Sequence, residues 1–227
     1  MFRLCPARLL VLLLGLSALA QNPPQAQSSN RSQFVGLPLA FEANRGQASM
    51  GVDFVARGQG YSAQLRADRV TLSLSTATGT SGDQKTAGSN VIEIAVAGAN
   101  RNATAAGEEK LPGHSNYLIG SNPANWITDV EQFAEVQYAN IYPGIDLVFH
   151  GNQNRLEHDF VIHPGANVEQ VGLTFSGIPR TELQGDGDLM LQADSGDMCL
   201  QKPRAYQVID GKEHGSTSRV CSARRAR

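Results

Sequence analysis

Six carboxylate and imidazole side chains fall within a single short stretch of the chain: Asp146, His150, Glu157, His158, Asp159 and His163. Carboxylates and imidazoles together can ligate a divalent cation or share the work of general acid–base catalysis. Asp146, Glu157 and Asp159 are the candidate metal ligands, and His150 is the candidate base beside them. The competing reading is a charged sheet face with no chemistry. Which reading holds depends on the strands that carry these residues.

Ile141 to Phe149 and Leu156 to Ile162 are both strand-like. Alternation along a strand sends successive side chains to opposite faces. A connection over Gly151–Asn154 pairs Ile145 with Phe160, Leu147 with His158 and Phe149 with Leu156. These apolar residues share a face, so His158 is expected in the core. Asp146, Val148, His150, Glu157, Asp159, Val161 and His163 share the other face. The same register sets Asp146 directly opposite Asp159, with Cβ atoms roughly 4.5–5.5 Å apart.

The remainder of the chain reads as strands and turns. Val52–Ala56, Tyr61–Leu65, Val70–Ser75 and Val91–Val96 alternate apolar and polar residues, and Arg57-Gly58-Gln59-Gly60 turns between the first two. Residues 76–90 and 97–116 read as surface loops. Asp186-Gly187-Asp188 resembles the start of a calcium loop but lacks the later acidic ligand, and reads as a tight turn. Trp126, the only tryptophan, is expected to pack. Beyond the first twenty residues no long segment keeps a helical period. The expected fold is an all-β, antiparallel β-sandwich of roughly ten to twelve short strands. No nucleophile elbow, zincin motif, phosphate loop or spaced cysteine cluster is present. The sequence therefore supplies no catalytic residue and no cofactor site.

Composition narrows the setting. Arg3 and Arg8 precede the apolar run of Leu9–Leu14, and Ala18-Leu19-Ala20 follows it. This is the layout of a secretory signal peptide, too short to span a membrane comfortably. Residues 1–20 are the expected leader, 21–35 a polar linker, 36–211 the β domain and 212–227 an irregular basic tail. After cleavage no membrane span is expected, and the protein is expected to be secreted or held at the cell surface. Removing the leader's two arginines and the tail's net +4 from the overall −2 leaves −8 on residues 21–211. That charge disfavours a nucleic-acid partner, which needs basic clusters.

Several ordered stretches resemble an uncharacterised exported bacterial domain that precedes SBBP-type β-propeller repeats. They are Leu37–Gln47 (LPLAFEANRGQ), Phe54–Tyr61 (FVARGQGY), Leu111–Gly120 (LPGHSNYLIG) with Trp126, and Tyr142–Phe149 (YPGIDLVF) with Leu156–Val161. Pro164-Gly165-Ala166, Gly185–Leu189, Lys202-Pro203 and Tyr206-Gln207 complete the match. The resemblance implies an exported domain at the N-terminal end of a longer surface protein, with propeller repeats or other surface proteins as partners. It implies no known activity. It also implies an aromatic residue where this chain has His158, in keeping with a packed His158. The sequence departs from the pattern after Gly211, where a shifted reading frame or truncated gene would give such an ending; the alternative is a basic arm for a polyanion.

Three classes of function follow. The first is a structural, adhesive or assembly module. The second is a carbohydrate-binding or carbohydrate-processing domain, which the low aromatic content disfavours. The third is a hydrolase using Asp146, Glu157 or Asp159 with His150, for which nothing fixes a nucleophile.

Overall fold

The computed structural model describes residues 8–13, 17–18, 39–74, 90–152, 155–193, 196–209 and 212–216. The expected linker 21–35 and Gln153 and Asn154 of the expected hairpin connection lie outside them. The strands run β1 Arg8–Leu13, β2 Ser17–Ala18, β3 Phe41–Ala43, β4 Phe54–Gly58, β5 Tyr61–Arg66, β6 Arg69–Leu74, β7 Asn90–Val96 and β8 Ala105–Tyr117. They continue as β9 Ile127–Tyr142, β10 Ile145–Asn152, β11 Arg155–Ile162, β12 Leu173–Ser176, β13 Arg180–Leu183, β14 Leu189–Ala193, β15 Gly196–Leu200, β16 Arg204–Ile209 and β17 Lys212–Ser216. Every pairing is antiparallel, and the expected all-β class holds. Among the described residues no helix is long and apolar enough to cross a membrane.

The strands form one large sheet, ordered β12-β7-β6-β5-β4-β3-β9-β10-β11-β1-β16-β17, and a small sheet, β13-β14-β15-β2. The long strand β9 joins the two halves of the large sheet. Its β8 partner takes one edge, meeting both Phe133 (from Lys110) and Glu135 (from Glu108). The opposite edge is shared: β3 pairs at Gln132 and Phe133, and β10 from Glu135 to Tyr142. Two strands cannot lie in one plane on the same edge, so the sheet forks there and curls its halves face to face. The sandwich therefore comes from one curled sheet whose faces close on each other.

The core lies between those halves. Phe41, Phe54, Leu65, Leu72 and Ile92 come from one side, and Tyr138, Leu147, Phe149 and Phe160 from the other, all buried in one cluster. Polar bonds cross the same gap. The Tyr138 hydroxyl donates to Asp53 Oδ2 at 3.2 Å, and the Tyr142 hydroxyl donates to the Ala97 carbonyl. At the rim Leu39 lies against Gly151, where an added Cβ would sit 2.5 Å from Leu39 Cβ and 3.1 Å from its carbonyl oxygen.

Two expectations about extent are corrected. Residues 97–116 are largely strand, because β8 runs from Ala105 to Tyr117. Most of its residues are exposed and none is buried, so it carries no apolar alternation to betray it. As an edge strand it also tolerates Pro112, which has no N–H for a ladder, and its register shifts between Lys110 and His114. Likewise the basic tail does not begin irregularly at Lys212. β17 pairs with β16 from Ile209↔Lys212 to Ala205↔Ser216. A tight reversal between two strands needs little apolar patterning, since backbone hydrogen bonds hold it.

The Gly151 contact yields a test. Gly151→Ala forces a methyl into Leu39 and its backbone, and should destabilise the fold by about 1–3 kcal/mol. Urea unfolding midpoints of the two proteins read this directly.

Candidate functional site

The β9–β10 turn explains Asp146. Ile145 pairs with Tyr142 across Pro143-Gly144, and Gly144 takes φ +73° as the tight turn requires. The ladder then slips between Ile145 and Leu147, leaving two extra residues on β9. Asn140, among the three residues between the paired positions, lies in the left-handed region, φ +52°. Asp146 accepts the Asn140 backbone N–H at 2.7 Å, Gln137 Nε2 at 3.1 Å and His163 Nε2 at 2.9 Å. The His163 backbone N–H returns to the Gly144 carbonyl at 2.9 Å. Burial by itself would raise the Asp146 carboxyl, but these donors outweigh it and hold the group below the usual carboxylate range. The side chain fastens a bulge and a turn.

The β10–β11 register differs from the expected one by two residues. Asp146 faces Val161, Val148 faces Asp159 and His150 faces Glu157. Ile145 meets Ile162, Leu147 meets Phe160 and Phe149 meets His158. The expected direct opposition of Asp146 and Asp159 is thus wrong. The ladder continues to Asn152↔Arg155, so two residues rather than four make the connection. A slip of two preserves the faces, and the expected face assignments all hold.

The three candidate ligands are drawn to different partners. Asp146 bonds His163 and the bulge. Asp159 Oδ2 meets His150 Nε2 at 3.1 Å, and Glu157 Oε1 accepts Asn152 Nδ2 at 3.0 Å. Among the described residues no three His, Cys, Asp or Glu side chains are grouped to hold a metal ion. His150 lies among Asp159, Glu157 and, across β9, Glu135. Burial works against its charge, but Asp159 and the other carboxylates raise its pKa above the ordinary value. Glu135 is itself pushed up, by burial and then by Glu109, with His150 opposing.

His158 sits on the inner face, as expected. Its ring lies 5.9 Å from that of Phe149 and 5.7 Å, edge to face, from that of Phe160. Its Nε2 is buried with no hydrogen-bond partner. Burial, then the charge of His150, pushes its pKa down to about 4. A neutral imidazole here serves as an aromatic filler.

A second cluster joins four strands. Glu42 on β3 accepts Ser115 Oγ at 2.6 Å through Oε1. Its Oε2 accepts the Tyr117 hydroxyl and Arg57 Nη1, the latter at 3.0 Å. The Arg57 guanidinium lies 5.2 Å over the Tyr117 ring, and Gln132 Nε2 donates to Ser115 Oγ at 2.8 Å. Burial and then Glu42 push the Tyr117 hydroxyl up. Glu42, Arg57, Ser115 and Tyr117 all lie within the stretches that carry the family resemblance. Their separation along the chain hid the cluster, and the ordered motifs were its only trace. Trp126 departs from expectation: it is 37% exposed, and its indole N–H donates to the Gly120 carbonyl at 3.1 Å.

Two further groups carry no chemistry. The Asp186–Asp188 segment is the expected turn, with the Asp188 N–H on Asp186 Oδ1 at 3.1 Å and Gly187 at φ +99°. Cys199 Sγ lies 3.5 Å from Asp188 Oδ2, and burial followed by that carboxylate raises its pKa, which disfavours the reactive thiolate.

A family model described as a domain of unknown function, DUF7948, matches residues 41–219. The match passes through Gly211 and the β16–β17 pair. No curated protein and no solved structure matches the chain.

The opposed histidine shifts set a pH signature. His158 has a folded pKa of about 4 against 6.5 for the free group. The unfolded chain therefore binds its proton first, and stability falls as pH drops from about 6.5 to about 4. Integrated, that is about 3 kcal/mol. His150 is shifted upward, so its contribution is present below pH 6.5 and is lost as pH rises through its folded pKa. His158→Phe should remove the acid-side loss and leave the alkaline side unchanged. Denaturant unfolding of both proteins between pH 4 and pH 8 measures the difference.

Proposed function

The chain belongs to the DUF7948 family of unknown function, and on that premise we propose that it is a non-catalytic interaction module of an exported or surface-attached protein. One observation carries the reading. The carboxylate best placed for chemistry, Asp146, spends its hydrogen bonds on the Asn140 N–H, Gln137 and His163, where they hold a bulge and a turn. A catalytic carboxylate must instead offer a lone pair or proton to a substrate.

Export rests on the leader, Arg3 to Ala20. Its removal would take β1 from between β11 and β16 and leave both as edge strands. The resemblance supports a place ahead of SBBP-type propeller repeats, with structural, adhesive or assembly duty there.

Expressed with its leader in a bacterial host, the protein should leave the cytoplasm and begin at Gln21. Cell fractionation with N-terminal sequencing checks both. Cytoplasmic protein still carrying residues 1–20 would sink the export reading. Genomic DNA beyond codon 219, read in all frames, is expected to encode propeller repeats.

A further inference from the structure

The β8–β9 ribbon ends in a loop whose chemistry differs from the rest of the surface. From Tyr117 to Ile127 the sequence YLIGSNPANWI contains no charged residue and no histidine. Leu118 is 58% exposed, Ile119 73% and Trp126 37%. Among the described residues, the other exposed large apolar side chains, Met50, Val91, Val168 and Leu183, come from separate segments.

Four hydrogen bonds close the tip on itself. Asn122 Oδ1 accepts the Ala124 N–H at 3.1 Å. The Asn125 N–H donates to the Asn122 carbonyl and the Trp126 N–H to the Pro123 carbonyl, each at 3.1 Å. The indole N–H is held by the Gly120 carbonyl. Each such bond lowers the cost of moving the loop into an apolar medium, where an unsatisfied backbone group costs several kcal/mol. Tryptophan flanked by aliphatic side chains suits the boundary between headgroups and acyl chains.

We propose that this tip is a lipid-binding element: Leu118, Ile119 and Trp126 insert into the interface of a bilayer of neutral headgroups and dock the domain on it. The neutral headgroup follows from charge. The tip offers no cation to an anionic lipid, and residues 21–211 carry −8, which such a surface repels. Glu42, Arg57, Ser115 and Tyr117 brace the base of the loop, so it is presented rigidly. The proposal deepens the interaction-module reading and rests on it, but its test is made on purified protein and is independent of export.

Trp126 reports its own environment, since no other tryptophan is present. With phosphatidylcholine vesicles, the purified chain should show a blue-shifted emission and float with the lipid. Leu118→Asp with Ile119→Asp should lower partitioning about tenfold or more, with an unchanged melting temperature, because both positions are exposed. An unshifted emission at millimolar lipid would overturn the proposal. So would flotation that survives the double substitution, which would assign binding to the apolar leader. Salt-sensitive binding restricted to phosphatidylglycerol vesicles would overturn it in favour of the basic tail. An emission shift caused by oligosaccharides and not by vesicles would overturn it in favour of glycan stacking.

Discussion

One edge of a single strand serves two neighbours, and the remaining architecture depends on that constraint. β9 gives its first ladder positions to β3 and its later ones to β10, while β8 follows the opposite edge. The fork turns a sheet that could have stayed open into two facing halves. It creates the gap that Phe41, Leu65, Tyr138 and Phe160 fill. The tyrosines at the crossing do two jobs, since their rings pack while Tyr138 and Tyr142 hydroxyls bond across to Asp53 and Ala97. Burial and hydrogen bonding thus reinforce the same closure.

The polar face of β10 and β11, opposite the core face, is itself buried at its carboxylates. Asp146, Glu157 and Asp159 are each less than a tenth exposed. Buried carboxylates are tolerable only when hydrogen-bonded or paired with a cation. Asp146 meets the requirement fully, through a backbone N–H, an amide and an imidazole. Asp159 meets it in part, because Oδ2 has His150 while Oδ1 is buried without a partner. The two histidines on β10 and β11 show how one hairpin divides its environments. His150 points to carboxylates and favours its charge, whereas His158 points to phenylalanines and loses it.

The ribbon of β8 and β9 stands apart from this economy. It is anchored by Glu42, which draws Ser115, Tyr117 and Arg57 into one network across three strands. The anchored part is polar, and the free end is uncharged and exposes Leu118, Ile119 and Trp126. Those three side chains are the basis of the proposed lipid contact.

Alternation alone determined which residues share a face. Asp146, His150, Glu157 and Asp159 fall together, with His158 opposite them, in any register that differs by an even number of residues. The antiparallel class and the Asp186–Asp188 turn were legible for the same local reasons. Register was not, because it depends on how many residues the connection after Asn152 uses, and a slip of two leaves every face unchanged. β8 was hidden because an edge strand with exposed side chains shows no periodic burial. The Glu42–Arg57–Tyr117 cluster was hidden because its members are remote in sequence, and the fork in β9 brings them together. Local patterning fixes the direction in which a side chain points, while tertiary structure decides what it meets, since that depends on contacts between distant segments.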